Sequence, residues 1–273
     1  MPKTGSLGME INMHIGAMNH PQRNVLEEIK AFAEMGLEFI DLTLEPPAAA
    51  AWQIDEKTIR QALKDYSLGI VGHTAYYLPL GSPFEEVRRG ALKELIRCMN
   101  WFAAAGAKVM NIHPDSNAPM HDRKFIINQN LHSLRELLLT SKELGMTLMI
   151  ENLPGHFNTV HQLAELLEPL PDLALHLDIG HTNLIVHENT TEAILEAYGK
   201  RLRHVHLHDN KGGSADLHLP LGAGTLDTPR CIRALKKAGY DGTITLEVFT
   251  PDPSLLRHSS EKLRALWGGS SGS

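Results

Sequence analysis

A chain of 273 residues, 42% hydrophobic and 21% charged, is long enough for one large α/β domain, and its ordinary globular composition excludes a largely disordered chain. A net charge of −6, with a pI near 6.2, argues against a surface built to neutralise the phosphates of a nucleic acid. No apolar run reaches the roughly 18–20 residues of a membrane span and no basic-then-apolar leader opens the chain, so a cytoplasmic location is expected.

In chain order, short apolar runs alternate with longer amphipathic ones. MEINMHIG from Met9 reads as a strand and VLEEIKAFAEMG as the helix after it. EFIDLTL from Glu38 and GIVGH from Gly69 follow as strands, and EEVRRGALKELIRCMNWFAAAG as a long helix. KVMNIH from Lys108 is the fourth strand, LHSLRELLLTSKELG a helix, and MTLMIE from Met146 the fifth strand. LALHLD from Leu173, RHVHLHD from Arg203 and TITLEVF from Thr243 complete the strands, with PRCIRALKKAGY a helix before the last. The helical runs carry apolar residues at i, i+3, i+4 and i+7. Gly36, Gly106, Gly145 and Gly239 stand where helix C-caps are expected.

Eight strand-then-helix units predict an all-parallel sheet, and eight is the number that closes a (β/α)8 TIM barrel. The first loop, HIGAMNHPQRN, lacks the glycine fingerprint that a doubly wound nucleotide-binding sheet carries. One catalytic domain is expected over residues 9–267, with residues 1–8 a disordered or added terminus and residues 268–273 a linker or tag remnant. Cys98 and Cys231, the only cysteines, fall in helical stretches and read as packed thiols.

In such a barrel the active site lies at the C-terminal strand ends, and sixteen histidines are unevenly spread toward those ends. His73 ends the third strand, His113 the fourth, Glu151 the fifth and Asp178 the sixth, with His181 just beyond. His206 lies on the seventh strand, Asp216 and His218 in the loop after it, and Glu247 ends the eighth. Any one of these alone reads as a hydrogen-bonded structural residue or a helix cap. Five imidazoles and four carboxylates converging on one mouth read as a metal site. His176 and His208 share strands with these ligands and read as lining or supporting groups, whereas His132, His161 and His187 read as surface residues.

The motifs IHP at Ile112–Pro114, EN at Glu151–Asn152, DxxH at Asp178–His181, HLHD at His206–Asp209, DLHLPLGAG from Asp216 and LEV at Leu246–Val248 resemble the xylose isomerase-like TIM-barrel superfamily. That group includes AP endonuclease family 2, of the endonuclease IV type, and sugar phosphate isomerases and epimerases; the resemblance runs from Met9 to about Trp267. It implies one of two site chemistries. Isomerases and epimerases hold one divalent metal at the positions of Glu151, Asp178, His206 and Glu247, the two glutamates flanking the sugar and moving its proton. Endonuclease IV-type hydrolases hold three zinc ions with nine side chains, and His73, His113, Glu151, Asp178, His181, His206, Asp216, His218 and Glu247 match all nine positions. The resemblance then implies that Glu151 bridges two metals, that His73 and His113 complete one coordination sphere, and that His181, Asp216 and His218 hold a third ion.

The mixed imidazole and carboxylate set suits zinc, two or three ions, with Mn, Fe or Co as substitutes. Glu151 and Glu247 are the catalytic candidates, and Lys211, His208 and Asn152 the candidate substrate contacts. Asp216 and His218 alternate, so they share a direction if the segment is extended, and the following LGAG would let backbone approach a substrate. The expected activity is zinc-dependent hydrolysis of a phosphoester in a small metabolite, such as the nucleotide loop of a cobamide. A single-metal sugar isomerase or epimerase is the alternative, and incision of abasic DNA the third reading, disfavoured by acidic charge and short loops after the strands. A small-molecule substrate is the expected partner, nucleic acid is disfavoured without being excluded, no membrane is expected, and a homodimer stays open.

Overall fold

The computed structural model describes residues 13–269. Residues 1–8 and 270–273, set apart above as terminal segments, lie outside the described residues, as do residues 9–12 of the expected first strand. Gly268 closes the last helix, so that helix runs one residue past the expected domain end.

Eight strands form a closed barrel in sequence order, every neighbouring pair parallel. They are β1 His14–Met18, β2 Phe39–Leu44, β3 Gly69–Thr74, β4 Val109–Ile112, β5 Thr147–Glu151, β6 Ala174–Asp178, β7 Leu202–Leu207 and β8 Thr243–Leu246. Eight α-helices alternate with them: α1 Val25–Glu34, α2 Glu56–Asp65, α3 Glu85–Ala105, α4 Arg123–Glu143, α5 Val160–Leu167, α6 Thr191–Tyr198, α7 Thr228–Lys237 and α8 Pro253–Gly268. α4 begins eight residues before the run LHSLRELLLTSKELG, because Asp122 caps it by accepting from the Phe125 N–H. The four expected C-cap glycines all take left-handed backbone, at φ 74, 102, 61 and 74° for Gly36, Gly106, Gly145 and Gly239.

Alternation along the strands separates two cores. Ile40, Leu42, Met110, Ile112, Leu148, Ile150, Leu175, Leu177, Val205, Leu207, Ile244 and Leu246 belong to the large apolar core shared with the helices. A small separate cluster of Phe39, Val71, Met149 and Ala174 comes from the early positions of β2, β3, β5 and β6. Gly16 on β1 makes room for it, since a Cβ there would stand 2.5 Å from the Phe39 ring. Later alternate positions become polar: Asp41, Thr43, His73, Asn111, Glu151, His176, Asp178, His204, His206 and Thr245 are all buried. Both cysteines are buried and unpaired, and burial pushes the Cys98 thiol up to about 12 and Cys231 to about 11.

Candidate metal centre

The nine predicted ligands meet at the C-terminal mouth in three neighbouring donor sets. In the first, Glu151 Oε2 lies 3.0 Å from His113 Nε2 and 3.6 Å from His73 Nε2. In the second, Asp178, His206 and Glu247 offer ligand atoms within 4.8 Å of one another, with His206 Nδ1 3.1 Å from Glu247 Oε2. In the third, Asp216 Oδ2 stands 3.1 Å from both His181 Nε2 and His218 Nε2. The sets touch: Glu151 Oε1 is 3.4 Å from His181 Nδ1, and Glu247 Oε2 is 3.5 Å from His218 Nδ1. Other trios lie equally close: His73, Glu151 and His206 are all among the nine, while three more trios bring in His176, His204 or His208.

Each of four imidazoles is fixed through its other nitrogen, which leaves one nitrogen for a metal. His181 Nδ1–H donates to the Asn152 carbonyl at 2.8 Å, and His218 Nδ1–H to the Glu247 carbonyl at 3.2 Å. Thr43 Oγ1 holds His73 Nδ1 at 2.8 Å. His206 Nε2 lies 2.6 Å from Asp41 Oδ2, and that same oxygen accepts from Thr245 Oγ1 at 2.9 Å and meets His204 Nε2 at 3.1 Å. Asp41 therefore anchors a buried tier beneath the ligands. The strand run EFIDLTL gave no sign of it.

Charges in the cluster are strongly coupled. Burial opposes ionisation of Glu151, yet His176 and His113 beside it hold its carboxyl well below the usual range. Asp178 is held low by His181 and His208 against the same burial cost, and Asp41 by hydrogen bonds from His204 and His206. Burial would lower His181, but Asp178, Asp216 and Glu151 outweigh it and push it up to about 10. His218 is raised to about 9, burial being overcome by Asp216 and Glu247. His206 is raised well above its ordinary value by Glu247 and Asp41 despite its burial. Burial drives His113 and His176 the other way.

The donor set fits cations of the zinc class. His73 Nε2 and Asp178 Oδ2 are buried without hydrogen-bond partners inside this cluster, a costly condition that metal ligation removes. Residues present supply imidazole and carboxylate in each set, the mixture zinc accepts. Above the donors opens a cavity of 740 Å³, lined by His73, His113, Glu151, His181, Asp216, His218 and Glu247 together with Tyr76, Tyr77, Phe249 and others.

The three candidate substrate contacts are placed elsewhere. Asn152 is fully buried: its side chain accepts from the Asp178 N–H at 2.8 Å and donates to the Asp178 carbonyl and Asn158 Oδ1, each at 3.0 Å. It positions a ligand and has no donor left over. His208 is fully buried between Asp178 Oδ1 at 3.4 Å and Asp216 Oδ1 at 3.6 Å. Gly180 is required there, because a Cβ would lie 2.1 Å from His208 Nε2. Lys211 is exposed and does not line the cavity.

The glycine-rich loop also differs from expectation. Asp209 Oδ2 accepts from the N–H groups of Gly222 and Gly224 at 2.8 and 3.0 Å, and Oδ1 from Leu226 at 3.1 Å. These glycine amides therefore tie the loop to Asp209 and do not face a substrate. A Cβ at Gly224 would stand 2.1 Å from the Asn210 carbonyl. Asp216 and His218 do converge, but through a bent backbone, with His218 at φ 45°, in place of the expected extended alternation.

Comparison with known proteins matches residues 29–266 to the xylose isomerase-like TIM barrel family model. An uncharacterised protein of Methanocaldococcus jannaschii, MJ1311, is 27% identical over 67% of this chain, and the match spans 65% of that protein's length. A probable endonuclease 4 of Aquifex aeolicus is 24% identical over 84% of this chain and 88% of its own. Fructoselysine 3-epimerase of Escherichia coli O157:H7 is 26% identical over 90% and 95%. Among solved structures, a D-tagatose 3-epimerase-like protein superposes with a TM-score of 0.83 at 22% identity, covering 94% of this chain and 97% of that one. The TTHB071 protein from Thermus thermophilus, soaked with ZnCl2, gives 0.75 at 23% identity, covering 95% and 100%. At such identities the structural likeness speaks for the fold alone. Nevertheless, the family match, the closed eight-stranded parallel barrel and the ligands at its mouth agree: this chain belongs to the xylose isomerase-like TIM-barrel family.

Proposed function

We propose that the chain is a metal-dependent hydrolase that cleaves a phosphoester in a small metabolite, with two or three zinc-class ions held by the nine side chains. One observation carries this reading: His73, His113, His181, Asp216 and His218 stand in the donor cluster beside Glu151, Asp178, His206 and Glu247, and a single-metal isomerase needs only the latter four. When bound, such ions make hydroxide available near neutral pH and can hold both the attacking and leaving oxygens of an in-line displacement. The four carboxylates Glu151, Asp178, Asp216 and Glu247 offset about four of six metal charges, leaving roughly +2 for a phosphate. Glu151 joins the first and third donor sets. Glu247 faces the cavity and touches His206 and His218, which supports a role in holding a reacting water or taking its proton.

The alternative is a single-metal sugar isomerase or epimerase. The named relatives back it better than hydrolysis: a fructoselysine 3-epimerase matches over nearly the full length, and 3-epimerases recur among the solved structures of this shape. In that reading Glu151 and Glu247 would move a proton next to a ketose carbonyl.

Metal content and one double variant separate the two. Purification without chelator is expected to yield two or three metal ions per chain, predominantly zinc, and activity on small phosphodiesters that vanishes in His73→Ala/His113→Ala. One ion per chain, with solvent deuterium entering a ketose next to its carbonyl and the double variant still exchanging it, would establish the epimerase instead.

A further inference from the structure

Resting on the hydrolase reading, we infer that the substrate carries a single phosphoester whose organic part presents a planar aromatic ring, and no second phosphate. The cavity of 740 Å³ is in the range that encloses a whole drug-sized ligand, far more than a phosphate needs. Its walls are uneven in chemistry. Beside the first donor set stands Tyr76, its ring 6.4 Å from His113 and edge-on to it, with Tyr77 5.4 Å further along. Beside the third, Phe249 lies over His218 with ring centroids 4.6 Å apart.

These three rings are 69, 52 and 53% exposed. A single exposed aromatic is unremarkable on any protein surface. Three in one cavity, two beside the first donor set and one beside the third, form two apolar platforms that a flat ring can cover by stacking or edge contact.

Charge sets the other half of the inference. No lysine or arginine is among the described residues lining this cavity. Side-chain positive charge here can come only from imidazoles, which apart from the exposed His20 belong to the donor cluster, and any further charge from the metals. The one lining carboxylate outside the donor cluster, Glu45, accepts from the Tyr77 hydroxyl at 2.5 Å. A second phosphate held away from the metals would find no lysine or arginine among these lining residues and would share the wall with Glu45. Sites that recognise several phosphates supply lysine or arginine for each.

Equilibrium binding to the zinc-loaded protein tests the inference without relying on turnover. Calorimetric titration should show phenyl phosphate binding at least about fivefold tighter than methyl phosphate. Tyr76→Leu and Phe249→Leu should each shrink that preference at unchanged zinc content. Thymidine 3′,5′-bisphosphate should bind no tighter than thymidine 5′-phosphate. Equal affinity for phenyl and methyl phosphate, tenfold tighter binding of the bisphosphate, or no binding of any of them at millimolar concentration would overturn the inference. An aryl preference without hydrolysis of any diester would remove the hydrolase reading and leave this one standing. Hydrolysis without an aryl preference would do the reverse.

Discussion

Replacing Asp41 with asparagine isolates the buried tier from the ligands above it. Asp41 Oδ2 is shared by His206 Nε2 at 2.6 Å, Thr245 Oγ1 at 2.9 Å and His204 Nε2 at 3.1 Å, while Oδ1 has no partner. Asparagine can keep an oxygen at the shared position, but its amide then occupies the unpartnered one as a buried, unsatisfied donor, at a cost of about 1–3 kcal/mol. Loss of the carboxylate behind a ligating histidine typically lowers metal affinity about 10- to 100-fold, or roughly 1.4–2.7 kcal/mol. The pH dependence follows from both partners. His206 is raised above its unfolded value of 6.5, so its share of stability is complete below that pH and lost as pH climbs through the folded value. Asp41 is depressed below 3.8, so its share is complete above that pH and lost on acidification through its own folded value. The metal-free variant should therefore show its largest deficit between about pH 4 and 6.5, a window that follows from those two shifts. Urea unfolding of chelator-treated protein at pH 5.5 and 8.5 reads the stability, and competition with a chromophoric chelator reads the zinc affinity. A variant that binds zinc as tightly as the parent would show that His206 is not oriented through Asp41, and the reasoning fails.

Two further predictions use the same electrostatics. Glu28 is buried and raised from 4.5 to about 7, because burial outweighs the His20 N–H hydrogen bond and Arg23. The folded state then holds its proton after the unfolded state has lost it, so stability falls as pH rises from 4.5 to 7. Glu28→Gln should accordingly stabilise the protein by about 1–2 kcal/mol at pH 8, discounted for partial solvent access, and change little at pH 4; equal effects at both, by thermal unfolding, would reject this. In the metal-free site at pH 7, His181, His206 and His218 all carry protons by their raised values. Full metal loading should therefore release about three imidazole protons, measured by titration calorimetry in two buffers of different ionisation heat, and a release near zero would contradict the assigned charge states.

The barrel, and the gathering of the candidate donors at its mouth, were legible because both are written with short periods. Six of the candidate donors stand at or near the ends of six successive strands, and apolar alternation marks the strands, so position in the pattern is already position in space. Asp41 was not legible because its partners His204 and His206 lie 163 and 165 positions away, and one aspartate in EFIDLTL looks like an ordinary interruption. The direction of an N–H is equally invisible in sequence: LGAG reads the same whether its amides face a substrate or Asp209. His208 lies in strict alternation with His206 and His204, which foretold that it shares their side of the strand but not that Gly180 and the ligand carboxylates close over it.

The inner side of the barrel explains why those hidden residues exist. A barrel built for stability alone fills its interior with apolar, mostly branched aliphatic side chains, whereas the separate apolar cluster inside this one is small: Phe39, Val71, Met149 and Ala174. Above that plug the interior turns to Asp41, His176, His204 and Thr245, all fully buried, although each buried polar group destabilises the fold unless it is paired. The apolar outward faces of the strands and the helices packed on them carry the stability instead. An interior surrendered to polar side chains makes sense only as support for the ligands above. Here the support is specific: Asp41 holds His206, Asn152 holds Asp178 and His181, and Thr43 holds His73. Thr43 behind His73 serves a residue outside the four-residue single-metal set, and so does the backbone carbonyl of Asn152 behind His181. The support thus reaches His73 and His181 as well as Asp178 and His206, whereas His113 Nδ1 is buried without a partner.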